Sequence, residues 1–502
     1  MDKAQNNNRG FDENTMAILD SSGIKDSRDI HDDRVSFLEA VRSTSLASDS
    51  PSAPSWNMYD AIFKILRDSE SLELAMASYQ ILSDLDKQYL RVYLTNSGGT
   101  DELVIVKEIW SPFILVQESV ITSNHLFDTL KFSALIEDMA QAVNSLDVQE
   151  GMKAVRNMLL FQYLVNVLEA DFIPRHTLYK ESLNWVLFRE SVLNMILGSR
   201  KVNFKSLVRD CMSLVLKRCR HNMRNSLQDL KVVKESGKST NDSDVSLVNA
   251  IPELQRRTCS AVQKLFTLIM GLDDIRKEAD LLGATSRIDG FRSPALEIIL
   301  DELTYNINHV SPFLEVFAEP KWKLEIILLY FSKYCLKHSV RTRRSNDAPK
   351  DLTLEGVLNY FSSTMSTKSI MKKITSEVAQ VLLAHAFQAC LSLKHDPEHI
   401  HDSTEKIGAT LLQICNNIIS AFQNLRKIDD LKLLGCPCYM VFEQEGPEFE
   451  YSRPLCHQNE NLLFNSSPCV GPQSWNLELT SFEKEALFTA AIISSQKLGT
   501  EG

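Results

Sequence analysis

From Met152 to Leu168 the apolar side chains cover too wide an arc for a helix lying on a surface. Met152, Val155, Leu159, Tyr163 and Val167 form one stripe at helical spacing, and Leu160, Leu164 and Leu168 form a second stripe beside it. A surface helix shows an apolar arc of roughly 100°, so a helix with two adjacent stripes must be covered from two sides. The demand is met by helices stacked against helices, not by a single amphipathic layer. Residues 177–198 repeat this character with Leu183, Trp185, Leu187, Phe188, Val192 and Ile196. Glycine and proline number only 17 and 15 in 502 residues. Both interrupt helices, so their scarcity favours long helices over a turn-rich sheet.

Read along its length, the chain predicts an all-α fold. The expected architecture is an extended stack of antiparallel helices, an armadillo-like α-solenoid without clear sequence repeats. Residues 1–33 are polar and form a disordered N-terminal tail in this reading, with a short helix from Arg34 to about Ser45 and a linker at 45–55. An N-terminal helical half spans 34–235, with two helices between Met58 and Leu94. The runs LVIV at 103–106 and FILV at 113–116 fit either short strands or buried helix pieces, and no convincing hairpin strands are expected. A polar break at 236–245 precedes a C-terminal helical half, 246–433. Its first helix runs from about Val248 or Pro252 to Leu282, where Gly283 is placed to cap it in the left-handed region. Ser293 and Pro294 are expected as the N-cap and first residue of the next helix, and Pro320 begins another. Residues 435–478, with four cysteines, have no helical period and read as an irregular Cys-containing insertion. A C-terminal helix and tail occupy 479–502.

The formal net charge of −11 argues against a chain that binds nucleic acid over its whole surface. Six of ten cysteines (Cys211, Cys219, Cys259, Cys335, Cys390, Cys415) lie in apolar or helical stretches, as buried free thiols do, which points to a reducing compartment. The N-terminus carries no apolar core for a secretory signal, and the run IILLYF at 326–331 is far shorter than the ~20 residues of a membrane span. A soluble intracellular protein is expected.

Motifs for catalysis are missing. There is no Gly-x-Gly, no Gly-x4-Gly-Lys-Ser/Thr phosphate loop, no His-Glu-x-x-His and no Gly-x-Ser-x-Gly. The expectation is therefore no enzyme, no catalytic residue, no cofactor and no small-molecule substrate. His395, His399 and His401 in KHDPEHIHD read as an exposed loop and not as a metal site. Cys436, Cys438, Cys456, His457 and Cys469 are spaced too tightly within each pair for easy zinc chelation and read as free thiols. Two basic runs remain. Lys217, Arg218, Arg220, His221 and Arg224 lie on a long helix, where 217, 220, 221 and 224 share one face, and Arg341, Arg343 and Arg344 adjoin a charged linker. Either run fits phosphate contacts, a nuclear import signal, or a solvated surface. No aromatic residue interleaves with these runs, so there is no stacking platform for single strands.

The stretch ADLLGATSRIDGFRSPALEIILDELTYN at 279–306 resembles the plant family of negative regulators of systemic acquired resistance. PKWKLEIIL at 320–328, VRTRR at 340–344, SRKVNFK at 199–205, MYDAIFKILR at 58–67, KDSRD at 25–29, IISAFQNLR at 418–426 and EALFTA at 485–490 extend the likeness in order along the chain. The resemblance implies a helical, armadillo-like nuclear protein. It implies a non-SMC subunit of the SMC five–six chromosome-maintenance complex, paired with a second helical subunit and with the SMC subunits. Contact with DNA would be mainly indirect, through the complex. Roles in homologous recombination, the DNA-damage response and restraint of defence-gene expression follow from the same likeness. An alternative is a transcriptional co-repressor that touches chromatin or DNA through the basic helix face. The family has no known catalytic residues to carry over. Residues 435–478 depart from its pattern, as an insertion or a splice-derived segment.

Overall fold

The computed structural model describes residues 16, 27–47, 52–97, 100–106, 109–114, 126–142, 151–228, 242–286, 292–336, 352–395, 406–433 and 479–496. They form two compact units, which divide between Ala318 and Glu319. Helices dominate both, and the two described strands form one small hairpin.

The first unit begins with α1 (Ser27–Ser45), α2 (Trp56–Asp68) and α3 (Leu72–Gln88). Ser55 and Ser71 cap α2 and α3, each accepting a hydrogen bond from the amide three residues on. The hairpin β1 (Val92–Ser97) and β2 (Thr100–Ile105) follows, antiparallel, with Val92 opposite Ile105 and Leu94 opposite Leu103. This corrects the expectation of no hairpin. The alternation that marks these strands is only a few residues long, but the Gly98-Gly99 pair between them in sequence is a turn signal. Of the two ambiguous runs, Leu103 to Ile105 is strand, and Phe113 makes a single bridge to Phe127.

Helix α4 (Thr129–Ala142) leads to α5 (Gly151–Ser182), which continues through Pro174. The double apolar stripe of α5 is covered as its width requires. Helices α2, α3 and α4 and both strands pack against it, and so does α9 (Asp242–Leu281), which returns from far along the chain. Val155, Leu159, Phe161, Tyr163, Leu164, Val165 and Leu168 are fully buried. The polar break at 236–245 therefore does not separate compact units, because the helix that follows it completes the core begun before it.

The continuous helical character of 177–198 is broken at Leu183, which adopts φ +50°. Ser182 Oγ donates to Leu178 O at 2.9 Å, and Asn184 Oδ1 accepts from Val186 N at 3.1 Å. These local side-chain bonds end α5 and start the short α6 (Val186–Arg189) and α7 (Val192–Gly198). Helices α8 (Phe204–Gln228), α10 (Ala295–Tyr305) and α11 (Val310–Val316) complete the unit, with α10 and α11 both packed on α8. Gly283 lies at φ +69° just past α9, as expected of a left-handed cap. Pro294 sits one position earlier than expected, at the N-cap of α10, and Ser293 does not cap it. The first amide of α10, Ala295 N, donates instead to Asp273 Oδ2 at 2.8 Å.

The second unit starts at α12 (Pro320–Tyr330), with Pro320 at the first helical position as expected, and runs on into a π-helical turn at Phe331–Cys335. Helices α13 (Leu354–Phe361) and α14 (Thr364–Met371) pack on α16 (Leu411–Leu433). Helix α15 (Ser376–His395) lies between α12 and α16, and α17 (Ser481–Gln496) closes over α15 and α16. A capping box starts α17: Glu483 Oε2 accepts from Thr480 N at 2.7 Å, and Thr480 Oγ1 accepts from Glu483 N at 3.3 Å.

Candidate functional site

The basic residues singled out in the sequence fall in two places. Lys217, Arg218, Arg220 and Arg224 belong to α8, whose backbone is described there while their side chains are not. Arg341, Arg343 and Arg344 lie outside the described residues, as do His399, His401, Cys436, Cys438, Cys456, His457 and Cys469. His395 is the last residue of α15. Among the described residues, no group of three or more His, Cys, Asp or Glu is placed to hold a metal. Cys211, Cys259, Cys335, Cys390 and Cys415 are buried and form no disulfide, and the Cys219 side chain lies outside the described set. Burial pushes the Cys335 thiol up to about 12 and that of Cys390 up to about 11, which makes them poor nucleophiles. No single helix among the described residues is long and apolar enough to cross a membrane.

The surface that stands out lies at one end of the α5–α9 pair. These helices run parallel, and their register can be followed bond by bond. Gln162 Nε2 donates to Leu254 O at 3.2 Å and to Thr258 Oγ1 at 2.9 Å. Further along, Lys264 Nζ reaches Glu169 Oε2 at 2.6 Å and Asn166 Oδ1 at 3.2 Å. Near the C-terminal end the Phe172 ring meets Gly271, where a Cβ would approach it to 3.4 Å. The Tyr179 hydroxyl then lies 3.5 Å from Ile275 O. Both helices thus finish at the same end, where Leu183 and Val186 follow α5 and Leu281 and Leu282 finish α9. All four are exposed, Leu281 by 81%. Sequence periodicity placed Leu183 in the packed apolar stripe of 177–198, whereas it is exposed, and it did not single out Val186, Leu281 or Leu282. The unusual signal was the Leu281-Leu282-Gly283 step itself, two leucines directly before a helix-terminating glycine.

Leu183 is the described non-glycine residue with a positive φ. The left-handed region costs an apolar L-residue about 1 kcal/mol or more, and such strain is kept where the surroundings hold it. Here the Leu183 amide is held by Tyr179 O at 2.8 Å. The strained residue carries an exposed leucine, which is the pattern of a docking anchor more than of a core residue.

Two buried ion pairs hold this end rigid. The Arg175 guanidinium bonds Asp171 at 3.0 Å and Leu187 O at 2.7 Å, and the second Asp171 oxygen accepts from Val192 N at 2.9 Å. One carboxylate thereby links α5 to the start of α7, next to the Leu183 turn. The second pair repeats the device. Asp273 on α9 bonds Arg292 and accepts from Ala295 N, fixing the start of α10, while Arg292 lies 4.8 Å over the Phe204 ring. Burial lowers the Arg292 pKa, and the Asp273 charge opposes that shift. A third buried carboxylate, Asp86 on α3, pairs with Arg91 at 3.4 Å. Burial raises its pKa against the pull of Arg91. Burial, and next the Asp86 charge, push the neighbouring Tyr163 phenol well above its usual value. Each carboxylate in these pairs is committed to a guanidinium and, in two cases, to a helix cap. Such groups brace a frame and are not free to exchange protons with a substrate.

Comparison with known proteins bears on the same regions. The family model described as the SNI1 middle domain matches residues 91–319, and that described as the SNI1 C-terminal domain matches residues 335–436. The Arabidopsis thaliana protein named negative regulator of systemic acquired resistance SNI1 is 42% identical over 423 residues, covering 83% of this chain and 89% of its own. No solved structure matches the chain. With that identity sustained over both helical units, and with both family models matched in order, the chain belongs to the SNI1 family of negative regulators of systemic acquired resistance.

Proposed function

We propose that this protein is a non-catalytic scaffold that acts as a negative regulator of systemic acquired resistance, as a subunit of the SMC five–six chromosome-maintenance complex in the nucleus. The regulatory part rests on the name of the Arabidopsis relative. The complex, the nucleus and the roles in recombination and the DNA-damage response rest on the family resemblance read from the sequence. The observation that favours a scaffold is the exposed apolar group Leu183, Val186, Leu281 and Leu282 at the end of a buried, parallel helix pair. Exposed aliphatic groups on a rigid support suit docking of an amphipathic partner helix, which buries them in a mutual core. In this reading the surface holds the helical non-SMC partner, and contact with the SMC subunits follows from it. The basic runs at 217–224 and 340–344 serve as nuclear import signals.

The test is affinity purification of the tagged full chain from plant nuclei, with quantitative mass spectrometry. SMC subunits and one helical partner recovered in near-equal amounts are the expected result. Their absence, with transcription factors or histones recovered in their place, would overturn the assignment to the complex. A double substitution, Leu183→Asp with Leu282→Asp, is expected to release the helical partner while leaving the thermal melt of the isolated protein unchanged.

A further inference from the structure

A second surface belongs to the other unit, on α17. This helix turns small residues inward and large ones outward. Ala486 and Ala490 are buried where α17 packs on α15 and α16, whereas Phe488 is 68% and Ile492 40% exposed. The rotation that produces this inversion is fixed at the start of the helix. Glu483 is buried within its capping box, and the Phe482 ring lies on buried His385 of α15. Turning α17 by half a revolution would bury Phe488 and Ile492. It would also carry Lys484, four residues before Phe488 on the same face, into the core.

Lys484, Phe488, Ala491, Ile492 and Ser495 share the outward face at helical spacing, and all five are exposed. Lys484 is the one charge among them, and from Ala486 to Gln496 the helix has no charged side chain at all. A helix face turned to water normally carries charge, whereas the core of a protein–protein contact is where charge is depleted. An uncharged face offers nothing to a strongly acidic or basic partner, but it suits a second copy of itself. The pattern of sizes fits such a pairing. Phe488 and Ile492 are large, while Ala491 and Ser495 are small. With two copies antiparallel about a twofold axis between Ala491 and Ile492, each large residue meets a small one. Phe488 then faces Ser495 of the other copy, and Ile492 faces Ala491. This arrangement sends the two Lys484 side chains to opposite ends of the pair, whereas parallel helices would set them against each other.

We propose that the outward face of α17 pairs with the same face of a second copy of this chain, as an antiparallel, isologous helix pair built on Phe488, Ala491, Ile492 and Ser495. One helix of 16 residues from each copy is a small contact beside the roughly 1,200 Å2 of a stable complex. The dimer therefore forms and dissociates with concentration, in the micromolar range. The surface shares no residue with the group Leu183, Val186, Leu281 and Leu282, and its use does not depend on the assignment of that group to a helical partner.

The experiment is sedimentation velocity of the full chain over a concentration series from about 1 to 100 µM, which brackets a weak dimer. A mass that rises from the monomer's 56.9 kDa toward twice that value is expected. Phe488→Asp is expected to hold the chain at the monomer mass throughout. Ala491→Arg, which puts a long charged side chain beside the twofold axis, should do the same. Both positions are exposed, so the fold stays intact, which an unchanged thermal melt verifies; should one variant fail the melt, the other decides. The double variant Leu183→Asp with Leu282→Asp is expected to dimerise as the wild type does. A wild type that stays monomeric at the highest concentration would overturn the proposal, whether or not another protein covers the face in plant nuclei. So would a dimer that persists in either folded α17 variant. Loss of the dimer in the Leu183–Leu282 variant would also overturn it, since the contact would then join unlike surfaces.

Discussion

At the scale of single residues, backbone conformation decides more here than side-chain identity. Leu183 is held at φ +50°, where glycine would be unstrained. Leu183→Gly is therefore expected to leave stability unchanged or raise it by up to about 1 kcal/mol in a denaturant melt, while weakening capture of the helical partner. That opposition separates a docking residue from a structural one. The glycines of positive φ make a second contrast. A Cβ at Gly408 (φ +79°) would come within 2.8 Å of the Thr353 side chain, whereas one at Gly283 (φ +69°) would meet nothing within 4 Å. Gly283→Ala should cost about 1 kcal/mol, from backbone strain alone. Gly408→Ala should cost clearly more, since Thr353 also caps α13 through Gly356 N at 3.0 Å and cannot move away freely. Urea titration of both variants checks the order.

At the scale of elements, helix ends carry the buried charges. Asp273→Ala removes the cap of α10 and leaves Arg292 buried without its carboxylate, so a loss of about 3 kcal/mol is expected in equilibrium unfolding. Asp273→Asn, which keeps an acceptor for Ala295 N, should lose less. In the second unit, His385 of α15 lies under the Phe482 ring of α17, with ring centroids 4.3 Å apart. Burial, reinforced by the Lys323 charge, lowers its pKa to about 3. The folded state thus prefers the neutral ring, and its contribution is complete above the unfolded value of 6.5. It is lost as pH falls from there toward 3, by up to about 2 kcal/mol at pH 5. His385→Leu should flatten that part of the stability–pH curve. The helices themselves were readable in the sequence because their stripes are long: α5, α9 and α12 lie close to where periodicity puts them. The hairpin and the break at Leu183 were not, because both depend on a few turn residues within apolar surroundings. The Asp273 cap was hidden for another reason. Its carboxylate comes from a different helix, so the local Ser293-Pro294 pattern pointed to the wrong capping group. The basic run on α8 was visible from its charges.

At the scale of the whole molecule, the chain is two helical units with separate cores, divided between Ala318 and Glu319. The middle-domain match to the family ends at residue 319, next to that division. Residues 27–318 and 319–502 are each expected to unfold cooperatively when expressed apart, as followed by circular dichroism, with protection from hydrogen exchange centred on α5 in the first and α15 in the second. A cut at 240, within the polar break, is expected to yield an aggregating N-terminal piece, because it strips α9 from the apolar face of α5.

The parallel α5–α9 pair also sets a timetable for synthesis. Helix α5 is complete at Ser182, but the helix that covers it ends only at Leu281. At translation rates of about 5–20 residues per second, the wide apolar face of α5 waits for roughly 5 to 20 seconds outside the ribosome before its cover arrives. During that interval the nascent chain exposes the side of α5 that carries Gln162, Phe172 and Tyr179, which α9 later covers, an invitation to chaperones or to a partner helix already present. An assembly in which a second helical subunit binds while this one is still being made would shorten the exposure, and ribosome-associated capture of the partner on messages stalled after residue 182 is the form in which such co-translational pairing would be seen.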